Sequence, residues 1–300
     1  MNNNTTINTT KLVTVICWLV SAAVIIGFVV WAIFNTTIAI SSSWSWNTSG
    51  NMEYLATHTR SASGINRLEI DWVAGPVIIT LHDGDEIIMT EYANPRIRDN
   101  EHVHIVTNGS TLRLEFVRGR VRNNTPSKRI EVQIPSSMVL ESIDVRTISG
   151  NVDVNGVDAS DVVLRTTSGR INVRDMEAST VNLRTVSGNI DINRVEANTL
   201  TTNTTSGRHE LRGTFGRIES RSISGRIEIT SQIVPDRIEA RATSGRITVT
   251  VPNDGDAIHV SHSTTSGRFE SEIPTITGGG GTPQFELRTV SGRIEINALR

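Results

Sequence analysis

Residues 160–178 read SDVVLRTTSGRINVRDMEA and residues 179–197 read STVNLRTVSGNIDINRVEA, one phrase given twice. In the second copy Val181 and Leu183 precede the Ser-Gly pair at Gly188, and Ile190 and Ile192 follow it, with polar residues between. An apolar spacing of two is the period of a strand and not of a helix. Each unit therefore predicts two short strands joined at a Ser-Gly corner.

Working outward, the corner recurs eight times, at Gly150, Gly169, Gly188, Gly207, Gly225, Gly245, Gly267 and Gly292, with gaps of 19, 19, 19, 18, 20, 22 and 25. Seven positions before the glycine stand Ile143, Val162, Val181, Leu200, Ile218, Ile238, Val260 and Phe285. Two positions after it stand Val152, Ile171, Ile190, His209, Ile227, Ile247, Phe269 and Ile294. Two short strands are too little for a propeller blade, and no leucine-rich pattern is present. The prediction is an all-β parallel solenoid of about 19-residue turns, in which each column becomes a ladder with a rise of about 4.8 Å per rung. Glycine is expected at the corner because a tight bend takes positive φ.

The polar columns are charged in a regular way. One position after the glycine lies a candidate surface-binding ladder, Arg170, Arg208, Arg226, Arg246, Arg268 and Arg293. Four positions before it lie Arg146, Arg165, Arg184, Arg221, Arg241 and Arg288. Asp153, Asp191, Glu210, Glu228, Glu270 and Glu295 stand two residues beyond the first column, so lateral pairing should neutralise most of its field.

Residues 61–137 carry the same grammar less regularly and are expected to be the N-terminal cap and irregular coils, with a hairpin across Asn108-Gly109. Residues 138–300 are expected to form the regular Ser-Gly solenoid. Its last strand, RIEIN, is expected to leave an open β edge unless something covers it.

Residues 12–34, LVTVICWLVSAAVIIGFVVWAIF, hold no charge over 23 positions and predict one transmembrane helix, long enough for the roughly 30 Å apolar layer of a bilayer. Lys11 precedes the run, and no cation follows before Arg60. The expected arrangement is a short cytoplasmic tail (1–11), a Ser/Thr/Asn-rich stalk (35–60) and an extracytoplasmic solenoid at the cell membrane. The partners expected are the lipid bilayer, through 12–34, and an envelope polymer or a protein. With 29 Lys and Arg against 31 Asp and Glu, no concentrated basic surface points to nucleic acid. The single cysteine, Cys17, excludes an internal disulfide framework and a multi-cysteine zinc site.

The recurrent T-x-S-G-[RN]-[IV]-x-[IV] unit, the opening DWVAGPVIITLHDGDEIIMTEY and the run RIEVQIP leading into IDVRTISGNVDV resemble a bacterial putative-adhesin family of β-strand-repeat domains of unknown function, including LiaG-like envelope proteins. The resemblance spans residues 65–300. It implies a single-stranded right-handed β-helix, often tethered to a Gram-positive membrane, with no catalytic motif to carry over. The last two repeats are stretched, the second holding Gly278 to Gly281, and regular stacking is in question there.

Chemistry beyond binding finds little support. Carboxylates recur once per coil like a structural ladder, and stacked pairs such as Asp191 and Glu210 arise from any regular solenoid. The seven histidines form no zinc motif, Asp83–Glu86 and Asn253–Asp256 lack the twelve-residue calcium pattern, and no cofactor is expected. His209 and His262 occupy inward columns and are read as core or corner residues. The leading expectation is a non-enzymatic adhesin-like, scaffold or envelope-stress module. A carbohydrate-active lyase or hydrolase on the same fold is the alternative.

Overall fold

The computed structural model describes residues 52–93, 97–118, 126–277 and 281–299, all within one compact unit, 46–300. The apolar run 12–34, the tail before it and most of the stalk lie outside the described residues. Among the described residues no helix is long and apolar enough to cross a membrane. The fold is all-β and solenoid-like, and the one helical element among those residues is a single 3-10 turn at Asp99–Glu101.

Consecutive repeats stack in parallel and in register. Val162 pairs with Val181, Val181 with Leu200 and Leu200 with Ile218 on one sheet; Ile171, Ile190 and His209 are partners on the other. The alternation read in the sequence sets the core: all eight residues of the column seven before the glycine are at most 2% exposed. A short third segment closes each middle coil, with Met176–Ala178 beside 195–197 and 213–215. Asp175 (φ 50) and Arg194 (φ 54) turn the chain into it, and Arg194 spans the rung to Asp175.

Both ends of the stack depart from sequence order. Near the N-terminus, Arg67–Asp71 lies between Leu140–Ser149 and Thr111–Glu115, so residues 67–82 form the second rung and 111–135 wrap outside them. Near the C-terminus, Gln284–Ser291 lies between Arg237–Ser244 and Ile258–Ser266, and Ile294–Ala298 between Ile247–Val251 and Phe269–Ser271. The chain thus skips a rung after Val251 and returns to fill it. The two stretched repeats supply the extra length: three added residues reach about 10 Å when extended, enough to cross an additional rung of about 4.8 Å. Stacking stays regular; the order of rungs changes.

Three expectations are corrected here. The strand RIEIN is paired on both sides, and the outermost strands at this end belong to residues 258–277. Pairing is also not parallel throughout, because Glu53–Ser61 and Glu86–Ala93 run antiparallel against each other, and Glu86–Ala93 runs antiparallel against Lys128–Pro135. Residues 53–60 are strand where a stalk was expected. The hairpin at Asn108-Gly109 forms as read, with His104–Asn108 antiparallel to Thr111–Glu115 and Gly109 at φ 58.

Candidate functional site

The corners come first, because they set the spacing of every outward column. In every corner but that of Gly267 the glycine amide continues the ladder around the bend: Gly169 N–H donates to Ser187 O (3.2 Å) and Gly188 N–H to Ser206 O (3.1 Å). A Cβ on Gly188 would fall well inside contact distance of the Gly169 carbonyl, and the same holds down the column for Gly150, Gly169, Gly207, Gly225, Gly245, Gly267 and Gly292. Gly75, in the Ala-Gly-Pro variant, is the rung beneath Gly150. The expected reason is corrected accordingly: most of these glycines do not have positive φ, and the requirement is close approach between backbones. Thr166 and Thr185, buried three positions before their glycines, donate to the Gly150 and Gly169 carbonyls at 3.3 Å.

The corner aims the first arginine column outward. Within a rung, Arg208 meets Glu210 (3.1 Å), Arg226 meets Glu228 (3.1 Å), Arg293 meets Glu295 (3.0 Å) and Arg268 meets Glu270 (3.5 Å). Arg170, whose own rung has Asn172 in the acidic column, reaches Asp191 in the next rung at 3.4 Å. Arg246 has no carboxylate within ion-pair distance among the described residues, and Thr248 occupies its acidic column. The stacked pair Asp191 and Glu210 sits among Arg170, Arg208 and Arg212. Burial raises the Asp191 pKa despite its arginine neighbours.

The second arginine column is compensated unevenly. Toward the C-terminal end Glu219, Glu239 and Glu286 interleave with Arg221, Arg241 and Arg288. Arg146, Arg165 and Arg184 occupy three successive rungs, but the matching acidic column holds Asp144, Val163 and Asn182. Asp144 is shared by Arg146 (2.8 Å) and Arg165 (3.4 Å), while Arg184 has no carboxylate partner among the described residues. Burial lowers the Arg165 pKa, and the like charges of Arg146 and Arg184 push it the same way against Asp144. Asp71 and Glu69 in the adjacent rung also act on Arg146, so compensation in this run is thinnest at Arg165 and Arg184.

On the third side a groove crosses the middle rungs. Asp158, Glu177 and Glu196 line it above small Ala178 and Ala197, and exposed Val139 and Ile233 mark its ends. Among the described residues no cluster of three or more His, Cys, Asp or Glu side chains could hold a metal ion.

Two buried polar clusters lie away from these surfaces. His209 replaces the aliphatic residue of its column and is fully buried, with ring nitrogens 2.8–2.9 Å from the hydroxyls of Thr202, Thr204 and Ser220. Burial pushes its pKa down to about 4 from 6.5. The folded protein therefore keeps His209 neutral while the unfolded chain binds a proton between those values. Stability contributed above pH 6.5 should be lost as pH falls toward 4, by about 3 kcal/mol in total. Urea midpoints of the protein and of His209→Ile measured from pH 7.5 to 4 should diverge across this window, the variant showing the shallower acid limb. Parallel curves would contradict the assignment.

The second cluster was not legible as a site in the sequence. Lys128 is fully buried, and its ammonium donates to Glu91 Oε1 (2.7 Å), Glu101 O (2.7 Å) and Phe116 O. Glu91 also accepts from the Val103 amide (3.0 Å) and lies 3.0 Å from His102 Nδ1. The Trp72 indole donates to Lys128 O (3.0 Å), and the rings of Trp72 and Phe116 flank the ammonium. Desolvation outweighs Glu91 and lowers the lysine pKa. The available signal was strand parity, since Lys128 shares an inward face with Ile130, Val132 and Ile134. All three ammonium protons are used internally, so the cluster ties the antiparallel cap to the first rungs.

The described residues form a solenoid-like all-β repeat stack with charged outer columns. The family model described as Toastrack DUF4097 matches residues 65–297, and the chain belongs to that family. Among solved structures it is similar to a putative adhesin from Bacteroides fragilis NCTC 9343, at 14% identity and TM-score 0.53, covering 81% of this chain and 96% of that one. It is also similar to a putative lipid binding protein from Parabacteroides distasonis ATCC 8503, at 14% identity and TM-score 0.54, covering 84% and 98%. These likenesses show the fold. No curated protein matches the sequence.

Proposed function

We propose that this protein is a non-enzymatic, membrane-anchored module that presents its solenoid outside the cell and holds an anionic envelope polymer along the coil face. Residues 12–34 serve as the transmembrane anchor in this reading, with the N-terminus cytoplasmic and the coils wound as a single-stranded right-handed β-helix. One observation carries it: Arg146, Arg165 and Arg184 stand in successive rungs with a single carboxylate, Asp144, at ion-pair distance among the described residues. A polymer bearing repeated phosphate or carboxylate groups would relieve that like-charge crowding. The column Arg170, Arg208, Arg226, Arg246, Arg268 and Arg293 is the secondary surface, its field weakened by lateral carboxylates. The names of the two structural neighbours fit a surface-binding role.

The test is binding of a soluble poly(glycerol phosphate) at low and high salt. Arg165→Ser with Arg184→Ser should weaken it by about tenfold or more, equivalent to about 1.4 kcal/mol. Arg226→Ser should change it little, and salt should weaken binding to the unsubstituted protein. Equal losses from both sets of substitutions would defeat the assignment of the surface. Cleavage of envelope polysaccharide abolished by Asp191→Asn would replace the proposal with the enzymatic alternative.

A further inference from the structure

The rung formed by residues 258–271 differs from every other because the re-entrant rung 284–298 leaves it outermost. Its strand Ile258–Ser266 pairs inward with Gln284–Ser291 from His259 to Ser266, but outward only over Ile258–Val260, against Thr275–Thr277. Among the described residues, Ser261–Ser266 and Phe269–Ser271 therefore have no strand on their outer side, and the alternate backbone groups that point away from the 284–298 rung have no ladder partner.

Natural edge strands are ordinarily guarded by charge. The neighbouring rungs carry Glu239 with Arg241 and Glu286 with Arg288 in the two outward columns, and here both columns become serine, Ser261 and Ser263. The run Ser261-His262-Ser263-Thr264-Thr265-Ser266 contains no Asp, Glu, Lys or Arg. Antiparallel pairing of this strand with itself about Ser263 would set serine against serine, His262 against Thr264 and Ser261 against Thr265. The same operation on Gln284–Ser291 about Arg288 would oppose arginine to arginine.

The core also ends incompletely at this rung. Where the preceding rung buries Leu287 and Ile294, this one has His262 and Phe269, stacked with ring centroids 4.0 Å apart and planes 9° apart. His262 is exposed and Phe269 half-buried. A partner related by a two-fold axis at Ser263 would bring its own aromatic pair over this one and continue the sheet across the interface.

We infer that two copies of this chain associate head to head through Ser261–Ser266, in an antiparallel two-fold pairing centred on Ser263. The interface is a closed, isologous one, so it makes dimers and not filaments. The test uses the full chain, reconstituted in detergent micelles, with Cys17→Ser and Ser263→Cys. Directly opposed residues of an antiparallel ladder lie about 4.5–5.5 Å apart at Cα, within disulfide range. Mild oxidation should link most of the Ser263→Cys protein as dimer, whereas Ser160→Cys, on an exposed mid-stack position, should yield at least tenfold less. Adding Ser261→Glu and Thr265→Glu opposes carboxylates across the two-fold and should cut the cross-link at position 263 at least tenfold without lowering the melting temperature. Absence of a disulfide-linked dimer from Ser263→Cys overturns the inference. So does a cross-link that persists after the glutamates are added, or one that Ser160→Cys matches in yield.

Discussion

Gly188→Ala should be among the most damaging single-methyl additions in this molecule. The new Cβ would enter the Gly169 carbonyl, a backbone group of a residue whose own amide is tied to Ser187 in the next rung, so relief requires two rungs to separate. Overpacking in a filled core costs about 1–3 kcal/mol, and a rigid backbone obstacle puts this case at or above the upper end. The expected result is a melting temperature lower by roughly 6 °C or more. Gly109→Ala is the informative comparison: nothing lies within 4 Å of its Cβ position, and only its φ of 58° resists the substitution, for about 1–2 kcal/mol. Equal shifts for the two variants would mean that backbone conformation, and not rung-to-rung contact, selects the corner glycines.

Lys128→Met carries the second large effect. The substitution keeps much of the side-chain volume but removes the charge that Glu91 faces, leaving that carboxylate buried beside the Val103 amide and His102. Breaking one side of a buried pair costs about 3–5 kcal/mol. Glu91→Gln retains the oxygen to which both the Val103 amide and the ammonium donate but removes the countercharge, leaving the ammonium with neutral acceptors only. Combining the two should cost less than their sum by about 2 kcal/mol, because the second substitution removes a charge the first had stranded. Chemical denaturation of the four proteins would measure this coupling. Additivity within about 0.5 kcal/mol would mean that the pair contributes packing alone.

The location of the two effects explains how much could be read in advance. The corner glycines recur at a near-constant interval, and repetition in sequence becomes repetition in space whenever successive turns stack in register. Lys128 occurs once, and its partners Glu91, Glu101 and Phe116 come from separate segments of an irregular region. No spacing rule connects them. The same contrast holds on the surface. Alternation placed both arginine columns outside, yet the compensation of Arg165 and Arg184 depends on Val163 and Asn182 standing where an acidic neighbour would. His209 was legible as an inward residue from its column, but not the hydroxyl cage formed by Thr202, Thr204 and Ser220.

The eightfold Ser-Gly phrase by itself determined the strand period, the inward and outward columns and the parallel stack, because each depends only on residues a fixed distance apart along the chain. Tertiary structure alone decided the order of rungs at the two ends, the antiparallel cap and the burial of Lys128. Those outcomes turn on which long connection crosses which rung. Loop closure varies only slowly with loop length, so local sequence leaves several rung orders nearly equivalent until the core contacts of the whole stack select one.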